Sequence, residues 1–231
     1  MARKTGWGPF WTPPLPSYDA LMAAYPWSLW WKLNESGGGT AYDSSGNGRN
    51  GSYGNGMTYG IAGPRSGDTA VSLPGNAGIT SSWAPSSIAA FTAIVWYNGI
   101  PGYWAPALMA TNDVYHNGTG MMLLLGLLTN LTLQTFGYNG NAKMSNVLSS
   151  DSSWHMLTLT AQAGGNGIIY EDGVSINSAG APGSLSPSGL WLQVGQPYGA
   201  DSCYTGPVAQ AAFGDGFALT AAQIAALFAG S

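Results

Sequence analysis

From Trp27 onward, apolar residues recur in short runs, several of them alternating with polar ones, and clusters of Gly, Asn, Ser and Pro separate the runs. Short apolar or alternating runs bounded by turn formers predict strands. They fall at residues 28–33, 70–73, 91–97, 121–128, 131–136, 154–160, 167–171, 190–194 and 206–213. Thr129-Asn130, between two of these runs, suits a hairpin turn, and so does Asp172-Gly173, because Gly tolerates φ > 0. Asp43 and Asn47 are each placed to close an Asx-turn around Gly46 and Gly48.

Helical signals are confined to the two ends. Residues 220–228 carry Thr220 as N-cap, Gln223 three residues on as in a capping box, and Gly230 as a stop. A short helical turn is expected at residues 18–24. Ahead of it, Pro9, Pro13, Pro14 and Pro16 alternate with Trp7, Phe10, Trp11 and Leu15, which predicts an extended polyproline-like arm. An arm this aromatic must be covered, either by its own domain or by a neighbouring subunit, and the second is the expectation. The organisation is therefore a docking arm at 1–26 and one domain at 27–231. Its fold class is all-β, an antiparallel sandwich of two curved sheets closed by a short C-terminal helix.

Composition narrows the function. Six Lys or Arg and ten Asp or Glu make only 7% of the 231 residues charged, against about 25% in an average soluble domain. That excludes a coiled coil. Aromatic content of 12% and a net charge of −4 exclude wholesale disorder. Six scattered cations exclude a duplex nucleic-acid partner. Cys203 is the single cysteine, so no intrachain disulfide forms. The most apolar run, 121–128, is far short of the roughly 20 residues of a membrane helix, so no membrane insertion is expected. Arg3 and Lys4 lead into Gly6-Trp7-Gly8-Pro9 with no apolar stretch, so no signal peptide is expected. The protein is then made in a cytoplasm and leaves it by lysis, by a dedicated route, or within an assembled particle.

Six motifs in order carry a family resemblance. Trp30-Trp31-Lys32-Leu33 with Ala41-Tyr42-Asp43 through Gly51, Ala70-Val71-Ser72-Leu73-Pro74-Gly75, and Phe91-Thr92-Ala93-Ile94-Val95-Trp96 come first. Trp154-His155-Met156-Leu157-Thr158-Leu159-Thr160 with Ile169-Tyr170-Glu171-Asp172-Gly173, the strand opening at Tyr204-Thr205-Gly206, and the final helix complete the series. Over about residues 27–230 the chain resembles the laminin-G-like, concanavalin A-like jelly-roll domains. The resemblance implies two curved antiparallel sheets, and it brings glucanases, lectins and calcium-binding loops into consideration.

A glucanase of this fold needs paired acids on one strand. The chain has two glutamates, Glu35 and Glu171, in separate runs, so no catalytic residue is assigned and no enzyme is expected. Asp43 and Asn47 offer hard oxygen ligands for Ca²⁺, with a structural turn as the alternative; no other cofactor is indicated. His116 and His155 lack a second His or Cys for zinc, and neither has an acidic partner evident in sequence. Cys203 has no local basic group to activate it. Aromatic rings beside polar groups suit sugars, and Tyr103, Trp104, Tyr115, Tyr198 and Tyr204, beside Asn112, Asp113 and Asp201, are the glycan-binding candidates. The expected function is a non-enzymatic structural and adhesive protein on a virion surface, a bacteriophage capsid decoration or minor tail protein. Its partners are other virion proteins through Trp7, Phe10, Trp11 and Leu15, further copies of itself, and a cell-surface glycan. The alternative is a free bacterial carbohydrate-binding module or lectin.

Overall fold

A computed structural model of the chain describes residues 16–85, 89–99, 107–111, 122–125, 133–135, 151–180, 191–196 and 203–230. Two antiparallel sheets form a sandwich. The larger has the order β13 (Val174–Gly180), β12 (Asn166–Glu171), β11 (Trp154–Gln162), β7 (Ala90–Asn98), β15 (Thr205–Asp215), β5 (Thr69–Pro74) and β4 (Thr58–Ala62), with β1 (Leu29–Trp31) also on β15. The smaller runs β10 (Leu133–Thr135), β9 (Met122–Leu125), β8 (Ala107–Ala110), β14 (Gln193–Val194), β6 (Ile79–Ser81), β3 (Gly51–Tyr53) and β2 (Thr40–Ala41).

Alternation along β7 explains the layering. Phe91, Ala93, Val95 and Tyr97 join Trp31, Leu157, Ile79 and Val194 in a core between the sheets. Ile94 and Trp96 point the other way, into a second core with Trp30, Met156, Tyr170 and Ala212. That second core is capped by two short helices, α1 (Tyr18–Met22) and α2 (Ala221–Ala229), through Tyr18, Met22, Ile224 and Leu227. The larger sheet is thus buried on both faces along its central strands.

Each helix begins as the sequence expects. Ser17 caps α1, and Thr220 with Gln223 forms a complete capping box on α2. The two are joined by a bond from Tyr18 N to Gly230 O at 2.8 Å. Asp19 on α1 pairs with Lys32 at 2.7 Å, and Trp27 Nε1 donates to Met22 O at 2.7 Å. Tyr18 meets Trp96 edge-on, with ring centres 5.9 Å apart. The segment from Pro16 to residue 26, which the sequence assigns to the arm, is therefore packed on its own domain. Trp7, Phe10, Trp11 and Leu15 lie outside the described residues.

One irregularity sets the partners of β15. Gln210 takes φ 49°, and there β15 slips register against β7 between Ala209 and Ala212. Before the bulge β15 pairs with β5; after it β15 pairs with β1. Gln210 fixes the change of partner, since its N donates to Lys32 O at 3.1 Å and its Oε1 accepts from Trp30 Nε1 at 2.9 Å. At the Asp172-Gly173 hairpin both residues have positive φ, 52° and 81°, between the paired Glu171 and Val174, as that dipeptide predicts. The two apolar runs around Thr129-Asn130 do pair, as β9 with β10, while that turn lies outside the described residues.

Because Met22 is fully buried under the larger sheet, Met22→Ala should destabilise the domain by about 2–5 kcal/mol in denaturant unfolding. A loss under about 0.5 kcal/mol would show that residues 16–26 contribute nothing to this core.

Candidate functional site

The loop after β1 is built around one carboxylate. Asp43 Oδ1 accepts from Trp30 N at 3.0 Å and Ser45 N at 2.9 Å, while Oδ2 accepts from Ser45 Oγ at 2.8 Å and Arg49 N at 2.9 Å. The Ser45 bond is the Asx-turn expected of Asp43. Burial works against the charged form, but these donors outweigh it and hold the Asp43 carboxyl below its ordinary value of 3.8. Asn47 departs from expectation: it closes no Asx-turn around Gly48, and its Nδ2 instead donates to Trp27 O at 2.9 Å and Ser28 O at 3.2 Å. Both residues of the expected calcium pair are thus engaged in tying the loop to β1. Among the described residues no group of three or more His, Cys, Asp or Glu is arranged to hold a metal ion.

The two glutamates are also held by hydroxyls. Glu35 accepts from Tyr42 N at 2.8 Å and from Tyr53 OH at 2.6 Å. Glu171, largely buried, accepts from Tyr97 OH at 3.0 Å. Burial, followed by the adjoining carboxylate, raises both the Tyr53 and the Tyr97 phenols.

His155 requires a correction. It has two acidic partners that the sequence did not reveal: Nδ1 lies 2.8 Å from Asp172 Oδ2 and Nε2 lies 3.1 Å from Asp151 Oδ1. Both ring nitrogens can donate together only in the imidazolium. Burial opposes that charge, yet the bonds to Asp172 and Asp151 prevail and raise the histidine above 6.5. Asp172 also accepts from Met156 N at 2.9 Å, so the histidine braces the β12–β13 hairpin against β11. Both ring nitrogens are thus taken by carboxylates, and among the described residues no hydroxyl bonds to the ring.

Of the glycan candidates, Tyr204 is misplaced by sequence reasoning. It is fully buried between the sheets, and its OH donates to Asn98 O at 2.7 Å, so neither ring face is available to a sugar. Burial raises its phenol. Tyr103, Trp104, Tyr115 and Tyr198 lie outside the described residues, as do Asn112, Asp113, Asp201 and His116. Cys203 is half-buried. The large apolar side chains that the described surface does expose are Tyr42, Trp191 and Val174. Sequence reasoning missed both aromatics, although each alternates with a buried neighbour, Ala41 and Leu192. Among the described residues the cations are engaged with rings: Lys32 lies over Trp30 at 4.9 Å, Arg49 over Trp83 at 4.2 Å and Arg65 over Tyr18 at 4.2 Å.

Two pH effects of opposite sign follow. A raised histidine stabilises fully below its unfolded pKa and loses that contribution as pH climbs through the folded value, so stability should decline above about pH 6.5. His155→Gln should lack that decline in melts run across the range; a slope equal to wild type would exclude the double bridge. A lowered carboxyl acts in the acid range: its stabilisation is present above 3.8 and lost as pH falls through the folded value. At neutral pH, Asp43→Ala should cost about 1–3 kcal/mol by leaving several donors without an acceptor. An unchanged unfolding midpoint would refute its structural role.

No family model and no curated protein matches the sequence. Solved structures do match the fold. Domain 4 of AbnA, a GH43 extracellular arabinanase from Geobacillus stearothermophilus solved in complex with arabinotriose, aligns at TM-score 0.67 and 17% identity, over 87% of this chain and 97% of that one. The ligand-binding domain of botulinum neurotoxin serotype D, solved with N-acetylneuraminic acid, aligns at 0.69 and 14%, over 91% and 53%. The binding domain of Paraclostridial Mosquitocidal Protein 1 aligns at 0.66 and 15%, over 88% and 52%. The chain therefore spans nearly all of the arabinanase domain and about half of each toxin domain. At these identities the likeness establishes a shared β-sandwich fold.

Proposed function

We propose that the chain is a non-catalytic, glycan-binding β-sandwich module that serves in adhesion. The observation that carries this is the match, over almost the whole of both chains, to a domain of an arabinanase solved with arabinotriose bound. The serotype D domain solved with N-acetylneuraminic acid supports the same class of ligand. The carboxylates add to it: Glu35 and Glu171 are each bound to a tyrosine hydroxyl on different strands, Tyr53 on β3 and Tyr97 on β7, rather than paired on one strand for glycoside cleavage. Purified protein on a glycan array should bind a reproducible set of oligosaccharides, and a reducing-end assay on those glycans should stay silent. No binding on a broad array would overturn the module, and turnover would overturn its being non-catalytic.

A second reading places the module on the surface of a bacteriophage virion, as a capsid decoration or minor tail protein, rather than in a free bacterial lectin. The Pro/Trp-rich stretch containing Trp7, Phe10, Trp11 and Leu15 favours it, because such a stretch needs an apolar surface to cover it. Tyr18 and Met22 belong to the domain core, so the informative truncation removes residues 2–15 and spares them. The truncated protein should keep the wild-type melting temperature and fail to enter particles. Normal incorporation would exclude docking through this stretch.

A further inference from the structure

The smaller sheet presents one face to the core and one away from it, and strand alternation assigns its residues. Ile79, Leu192, Val194 and Met109 face the core. The pairings Thr40↔Ser52, Ser52↔Thr80 and Thr80↔Gln193 then align four polar side chains on the outer face, across β2, β3, β6 and β14. Thr40 and Thr80 are half-buried and Ser52 is exposed. Gln193 ends the row: it is only 7% exposed, and its Oε1 has no hydrogen-bond donor among the described residues.

Two residues from this row, on the same face by alternation, stand Tyr42 beyond β2 and Trp191 ahead of β14. They are 63% and 48% exposed, the two aromatics among the large exposed apolar side chains of the described surface. Three strand spacings separate β2 from β14, about 14 Å between the strands that carry the two rings. Single exposed apolar residues are ordinary. Two aromatic rings at opposite ends of one row of hydroxyl and amide groups are a pattern suited to a sugar chain, whose C–H faces stack on rings while its hydroxyls bond to neutral polar groups.

We infer that a neutral oligosaccharide lies across β2, β3, β6 and β14 on the outer face of the smaller sheet, held between Tyr42 and Trp191 over the Thr40–Ser52–Thr80–Gln193 row. This rests on the glycan-binding reading and gives it a location and a ligand class. Neutrality follows from the side chains, since none of the six is charged and the adjoining Glu35 is already bound by Tyr42 N at 2.8 Å and Tyr53 OH at 2.6 Å. Arg49, in the loop before β3, is engaged by the Trp83 ring and by the carbonyl of Ser28, which accepts from its Nη1 at 2.9 Å. Span follows from the spacing: two rings this far apart engage a short oligosaccharide together, and a monosaccharide reaches one of them.

The test uses the full chain and three variants, Tyr42→Ala, Trp191→Ala and Val174→Ser, on an array of neutral and sialylated oligosaccharides. Val174 is as exposed as Tyr42 but sits on β13 of the larger sheet, so it serves as the control. All three substitutions are at the surface, and melting temperatures should match wild type. Loss of one ring contact should weaken binding about tenfold. Tyr42→Ala and Trp191→Ala should each show that loss on the same neutral glycans, with Val174→Ser unchanged. Wild-type binding that survives both aromatic substitutions would overturn this location and leave the glycan-binding module standing. Hits confined to sialylated glycans would overturn the neutral class. No wild-type binding at all would overturn both.

Discussion

The structure depends on one constraint: the larger sheet is apolar on both of its faces. Phe91, Ala93, Val95 and Tyr97 on β7 need the smaller sheet, and Ile94 and Trp96, between them in sequence, need a second cover. Two short helices supply it. An isolated five-residue helix such as α1 is not stable in water, so its existence depends on the surface it covers. That explains why the two helices are fastened together, with Tyr18 N on Gly230 O, and why Asp19 reaches Lys32 beyond β1. The segments that appear to be termini in sequence are a structural layer.

This layer decides where recognition can occur. A sheet covered on both faces presents its rims and hairpins; the β12–β13 hairpin is braced by His155 through Asp172, and inside the sheet β15 changes partner from β5 to β1 at Gln210. The smaller sheet turns Ile79, Leu192 and Val194 to the core. Its outer face carries the hydroxyl and amide row, and it is there that exposed aromatic rings coincide with neutral hydrogen-bonding groups.

Much of the fold was legible because long apolar runs dominate it. Strands expected at 91–97 and 154–160 are observed at Ala90–Asn98 and Trp154–Gln162, and the final helix begins on the expected cap. Several strands of the smaller sheet were not: Thr40–Ala41, Gly51–Tyr53, Ile79–Ser81 and Ala107–Ala110 are two to four residues long, and three of the four are largely polar or glycine-bearing. Their pairing comes from neighbours distant in sequence, which local pattern does not encode. Tyr204 opens a strand in the sequence, but local pattern does not say that its ring turns into the core. The partners of His155 were equally hidden: Asp151 is four residues away, but Asp172 arrives only through the pairing of β11 with β12.

Low charge acquires a physical meaning from these contacts. Lys32, Arg49 and Arg65 all lie over aromatic rings, and Asp43, Asp172, Glu35 and Glu171 all accept hydrogen bonds from backbone or side-chain groups of the fold. These seven described charges are therefore spent on holding loops and hairpins in place. A partner recognised by ion pairs at these groups would have to compete for partners they already hold, with a stability cost to the loop that lost them. A partner recognised through C–H faces and hydroxyls meets no such competition on the outer face of the smaller sheet. Its threonines, serine and glutamine bear no charge, and its aromatic rings are open to stacking.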